Sequence, residues 1–179
     1  MEMINKLRVA RDLESQSNND TVIKIEKTPT EYEMGANKYL SRFKGSPMTG
    51  RMLDEAHSMA MNKYNIDVPL ELSLSQGQFE SHFGTDKNPN RDFINNPYNV
   101  GAEDEGNKQS FKSTQDGVNA YYDLMARKYL NKARPEDLTV NFVNDDGKRY
   151  ASDPDYESKI RNQMDFVKKY IGKIRFSSE

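Results

Sequence analysis

Hydrophobic residues recur at helical spacing through much of this chain, most regularly from residue 46 onward. Leu53, Ala56, Ala60 and Tyr64 stand at i, i+3, i+7 and i+11, giving one apolar face to a helix from an N-cap at Thr49 to about Tyr64. Met52 and Met59 flank that face as adaptable packing residues. Val68, Leu70, Leu72 and Leu74 then alternate as a strand would. Pro69 decides against a strand, because it suits the first turn of a helix, with Asp67 just before it as a cap. The predicted helix carries Leu70, Leu74, Gly77 and Ser81 on one face and stops at Gly84. An interior glycine costs roughly 1 kcal/mol against alanine. Gly77 therefore points to close packing of another helix or to room for a ligand.

Residues 85–112 break the rhythm and are rich in Asn, Pro, Gly and Asp, which predicts a long loop or a small hairpin. Periodicity resumes after a cap at Ser113 or Thr114, with Val118, Tyr121, Tyr122, Leu124, Met125 and Tyr129. Pro135 starts a short helical turn, residues 144–147 (NDDG) form a turn, and Asp153-Pro154 opens a last helix carrying Tyr156, Ile160, Met164, Val167 and Ile171. The first residues are less regular. Met3, Leu7, Ala10 and Leu13 suggest a short amphipathic helix, residues 15–20 (SQSNND) a break, and residues 21–25 (TVIKI) a strand. Residues 26–45 are charged and weakly patterned. The chain thus reads as a mainly α domain at 47–179 behind an N-terminal arm or docking segment at 1–46. The alternative for 1–46 is an extra helix and strand packed on the domain.

Composition narrows the function classes. The 179 residues suit one domain with or without an arm. Lys and Arg number 26 against 28 Asp and Glu, so the basic excess of a nucleic-acid binder is missing. Cysteine is absent, which excludes disulfides and thiolate metal sites. His57 and His82 are the only histidines and lie far apart, unlike the ligands of a catalytic zinc. Glu103-Asp104-Glu105 lacks the spacing of a calcium-binding helix–loop–helix. No metal or cofactor is expected. No apolar run approaches the ~20 residues that span a membrane. Residues 1–20 have no apolar core of a Sec-type signal, so action outside the cytoplasm would need another route of delivery.

The sharpest chemical candidate is Glu80, near the C-terminal end of a mostly apolar helix and beside Phe79. Apolar surroundings favour the protonated carboxyl, and a glycosidase needs such a group to protonate its leaving oxygen. By position alone, a solvated glutamate at a helix end is the plainer reading. Three motifs change the odds: QFESHFG around Glu80, NNPYNVG at residues 95–101, and YASDP at residues 150–154. In this order and spacing they resemble the glucosaminidase domain of bacterial and phage peptidoglycan hydrolases. That family typically has a glutamate followed by Ser and a Gly-containing turn, then a segment like NNLFGI, then Tyr-Ala-Thr/Ser-Asp-Pro before a final helix. The resemblance covers about residues 47–171.

The resemblance implies a lysozyme-like α domain with a small β part, and cleavage of β-1,4 bonds in the peptidoglycan glycan strand. It implies Glu80 as the catalytic acid and Tyr150 as a tyrosine held near it to position substrate or water. It also implies Tyr98 in the aromatic slot of the second motif, shaping the cleft or simply packing in the core. Asn99 is a candidate to bind an N-acetyl group, and Ser81 and Tyr121 are further candidates for substrate contact. His82 could hydrogen-bond near the cleft, and Phe83 and Tyr122 could stack on sugar rings. For the second catalytic group, Asp104 and Glu103 are the candidates. The substrate's own N-acetyl group or the muramic 6-hydroxyl could serve instead. The partners expected are glycan strands and, for a phage virion-associated enzyme, other virion proteins reached through residues 1–46. The alternatives are a lytic transglycosylase, or a lysozyme-like virion protein that binds without cutting.

Overall fold

The computed structural model describes residues 28–86, 95–101 and 109–172 and is mainly helical. The helices are α1 (Glu31–Leu40), α2 (Gly50–Tyr64), α3 (Leu70–Ser81), α4 (Thr114–Leu124), α5 (Pro135–Leu138) and α6 (Tyr156–Gly172). A π-helical turn, Met125–Tyr129, extends α4. The β pairing among the described residues is one isolated antiparallel bridge, Val143 to Arg149, closed by a turn in which Gly147 N–H donates to Asn144 O.

Local chemistry fixes three of the helix starts. The Thr30, Thr49 and Ser113 hydroxyls accept from the backbone N–H of Glu33, Met52 and Asp116. The third helix differs from its expected start. Pro69 itself takes the cap position without a side-chain bond, and Asp67 lies instead 2.9 Å from His57 Nε2.

α3 is the central helix, packed between α1 and α6. Leu70, Leu72, Ser73, Leu74, Ser75, Gln76, Gly77 and Ser81 are all buried. A helix buried nearly all round has no single apolar stripe. That is why Leu70, Leu72 and Leu74 alternate like a strand yet belong to a helix.

The boundary drawn at residue 46 is corrected by α1. Ala36 and Tyr39 are completely buried and Leu40 nearly so, against α2, α3 and α6. A Cβ on Gly50 would stand 2.3 Å from the Glu33 carbonyl oxygen, so α2 starts in direct contact with α1. Residues 31–46 are thus part of the domain. The helix read in the first residues and the strand at 21–25 lie outside the described residues.

The interior is rich in hydrogen-bonded tyrosine. Tyr32 and Tyr122 share a hydroxyl–hydroxyl bond of 2.7 Å, and Tyr122 donates to Ser73 Oγ at 2.8 Å. Tyr39 donates to Gln78 Oε1 at 2.6 Å and accepts from Gln163 Nε2 at 2.7 Å. Buried polar groups of this kind must be satisfied, and these bonds tie α1, α3, α4 and α6 together.

Candidate active site

Glu80 sits on the last turn of α3, where the helix leaves the core: Phe79 is 39% exposed and Glu80 is partly buried. The helix stops abruptly behind it. His82, Phe83 and Gly84 all take left-handed backbone, with φ of 46°, 57° and 79°. The stop is therefore His82, two residues before the expected Gly84. Left-handed backbone costs about 1–2 kcal/mol for a residue with a Cβ, and the surroundings offset it. The His82 and Phe83 N–H groups donate to Gln78 O and Gly77 O, and Ser81 Oγ accepts from Gly84 N–H at 2.7 Å. The Phe83 ring is fully buried against Phe43, 4.6 Å between centroids. Gly77 makes room for it, since a Cβ there would lie 2.7 Å from Phe83 Cε1 and 3.1 Å from Tyr98 Cε1. The space that Gly77 leaves is thus taken by aromatic rings of the chain itself.

Asn99 meets Glu80 from the turn at residues 95–101. Its Nδ2 donates to Glu80 Oε2 and to Glu80 O, each at 2.9 Å. Asn99 is itself left-handed, with φ 51°, a conformation asparagine tolerates better than most residues. Several bonds shape this turn. Asn96 Nδ2 donates to Val100 O and Gln109 O, and Val100 N–H donates to Asn96 Oδ1. Ser81 Oγ donates to Pro97 O at 2.5 Å and so ties the turn to the end of α3.

Tyr150 meets Glu80 from the other side, its hydroxyl 3.4 Å from Glu80 Oε1. That is longer than an ordinary O–H···O bond, so the hydroxyl faces the carboxylate without gripping it. Tyr129, Phe142 and Tyr156 wall in the ring at 5.5, 4.8 and 5.4 Å. Burial, and then the negative charge of Glu80, push the Tyr150 phenol well above its ordinary range. Tyr150 is thus a protonated donor at any neutral pH.

The structure brings Glu80, Asn99 and Tyr150 together and gives other candidates different places. Ser81 and Tyr121 are completely buried and Tyr98 is 1% exposed. Their side chains offer no surface to a sugar, which corrects the expected contact role of Ser81 and Tyr121 and gives Tyr98 the core packing that was its other reading. Tyr98 and Tyr121 stack face to face at 3.8 Å instead, and hold the turn that carries Asn99. Phe83 and Tyr122 are likewise interior. His82 is exposed, with Nδ1 2.9 Å from Asp86 Oδ1. Asp104 and Glu103 lie outside the described residues. Sequence reasoning passed over Gln76, a fully buried amide four residues before Glu80. Its signal is a polar residue one turn from the acid on a helix of buried residues.

No group of three or more His, Asp or Glu that could hold a metal ion occurs among the described residues, and no helix among them is long and apolar enough to cross a membrane. No protein-family model matches the chain, and no curated protein matches it in sequence.

Proposed function

We propose that this protein is a lysozyme-like glycosidase that cuts β-1,4 bonds of the peptidoglycan glycan strand, with Glu80 as general acid. What supports the reading is that residues 80, 99 and 150, one from each of three motifs far apart in sequence, meet at a single carboxyl group. Protonated Glu80 gives its proton to the glycosidic oxygen as the C–O bond breaks, and the bond's electron pair stays on that oxygen. The carboxylate left behind accepts from Asn99 Nδ2 and faces the Tyr150 hydroxyl, and both stabilise its charge. The oxocarbenium-like sugar is then captured by water, by the substrate's N-acetyl group or by its 6-hydroxyl. Glu103 and Asp104 are the candidates to assist.

Clearing of purified peptidoglycan, with mass spectrometry of the fragments, tests this reading. Reducing N-acetylglucosamine ends indicate a glucosaminidase, reducing muramic ends a muramidase, and anhydromuramic ends a transglycosylase. Glu80→Gln should fold and lose roughly 10²–10⁴-fold in rate. A Glu80→Gln protein that clears walls like the wild type, or a wild type that binds glycan and leaves it whole, rules the reading out. Docking to virion proteins, expected for residues 1–46, would have to spare the buried face of α1.

A further inference from the structure

Gln76 lies one turn before Glu80 on α3 and is completely buried. Both halves of its amide are used: Nε2 donates to Tyr156 OH at 3.1 Å, and Oε1 accepts from Tyr121 OH. Each of these tyrosines begins a line of contacts that ends on a different oxygen of Glu80. Tyr156 stacks on Tyr150 at 5.4 Å and 25°, and the Tyr150 hydroxyl faces Oε1. Tyr121 stacks on Tyr98 at 3.8 Å and 9°, and Tyr98 precedes Asn99, whose Nδ2 donates to Oε2. We infer that Gln76 is a positioning residue of this site, fixing the two tyrosines that set where Asn99 and Tyr150 meet Glu80.

The chemistry of an amide suits this task. Stacked rings slide over one another at small cost, so stacking alone does not set a position to a fraction of an ångström. A buried hydroxyl tied to one atom does, because moving it away leaves a polar group unsatisfied. Tyr121 donates and Tyr156 accepts, so the group between them must both accept and donate. Glutamine does so, whereas leucine does neither and an ionised glutamate only accepts. A neutral, buried glutamic acid does both, which makes Gln76→Glu the conservative variant.

The kinetic consequence rests on the glycosidase reading; the geometric one does not. The experiment compares wild type, Gln76→Leu and Gln76→Glu in the full chain. NMR of the Asn99 side-chain amide reads the geometry, and kcat and KM on glycan strands read the reaction. Gln76→Leu should move the Asn99 amide resonances toward those of an unbonded asparagine. It should lower kcat about ten-fold, since small misplacements of reacting groups are costly, with KM changed by less than about two-fold. Gln76→Glu should stay close to wild type in both. Wild-type resonances or wild-type kcat in a folded Gln76→Leu protein overturn the inference, as does a Gln76→Glu protein no better than Gln76→Leu. If Gln76→Leu does not fold, Tyr121→Phe and Tyr156→Phe replace it, since both keep their rings. The first must shift the Asn99 amide and the second the Tyr150 ring signals, and silence from either sinks the inference. Shifted resonances beside a wild type that cuts no glycan leave the positioning role standing and end the glycosidase reading.

Discussion

The side-chain amide of Asn99 donates to both the backbone carbonyl and a carboxylate oxygen of Glu80, each at 2.9 Å. One amide thereby satisfies a carbonyl at the end of α3 and orients the acid it carries. Asn99 also needs left-handed backbone, at φ 51°. Two variants separate these duties. Asn99→Gly keeps the backbone and loses the amide, so it should lower kcat about ten-fold or more, as expected for a lost bond to a charged group. Asn99→Ala should lose the same activity and a further ~1 kcal/mol of stability from the strained φ. Equal melting temperatures for the two would count against this division.

Tyr150→Phe removes the hydroxyl 3.4 Å from Glu80 and keeps the ring among Tyr129, Phe142 and Tyr156. Thermal stability should change by less than about 1 kcal/mol, because the hydroxyl's one bond is long. The rate should fall about ten-fold, through weaker stabilisation of the Glu80 carboxylate. A rate equal to that of the wild type would remove Tyr150 from the mechanism.

Alkali should unfold this protein sharply. Burial raises the phenol pKa of Tyr32, Tyr98, Tyr121, Tyr122 and Tyr150 well above the ordinary value, and that of Tyr129 to about 12. With the folded-state pKa raised, the unfolded chain loses its protons first. The stabilisation is complete below about pH 10 and is lost as pH rises above it. Absorbance at the phenolate band should rise together with the loss of helical circular dichroism. Full tyrosine ionisation in a still-helical protein would contradict the burial.

Gly117 and Gly77 both make close approach possible, and they differ in severity. A Cβ on Gly117 would stand 2.0 Å from the Asn95 carbonyl oxygen, which is backbone, whereas at Gly77 the nearest atoms belong to the Phe83 ring. Gly77→Ala should cost about 1–3 kcal/mol through overpacking, less the ~1 kcal/mol of helix propensity it gains. Gly117→Ala should cost more and should also lower activity, because it displaces the turn that holds Asn99. Denaturant melts of the two variants rank them, and the reverse order would refute the packing argument.

A chain truncated to begin at residue 47 lacks α1, and with it the buried Ala36, Tyr39 and Leu40. It should fail to fold cooperatively, since removing so much core exceeds the usual net stability of about 5–15 kcal/mol. A sigmoidal thermal transition from residues 47–179 alone would restore the arm boundary that the sequence suggested.

Sequence legibility followed amphipathicity. α2 and α6 each bury one face, and their spacing could be read directly. α1 could not, because its buried residues are small, Gly35 and Ala36, or stand among charges, Tyr39 and Leu40. At the site, motif order pointed to Glu80, Asn99 and Tyr150 together. It could not tell an aromatic platform for sugar from an internal stack, and Tyr98 and Tyr121 form the stack. Gln76 could be noticed by its place on the helix, but not its task, because its partners are 45 and 80 residues away.

The turn behind Glu80 closes on itself by residue 86. Thr85 N–H donates to His82 O, Asp86 N–H to Ser81 O, and Ser46 Oγ to Phe83 O. The backbone turn behind the acid is thus closed by residues 46 and 77–86, and the carboxyl then meets Asn99 and Tyr150 from later in the chain. In evolutionary terms the turn and the partners are separate inheritances: a short local stretch keeps the turn, while positions 99 and 150 must hold their places for the proton donor to keep its address.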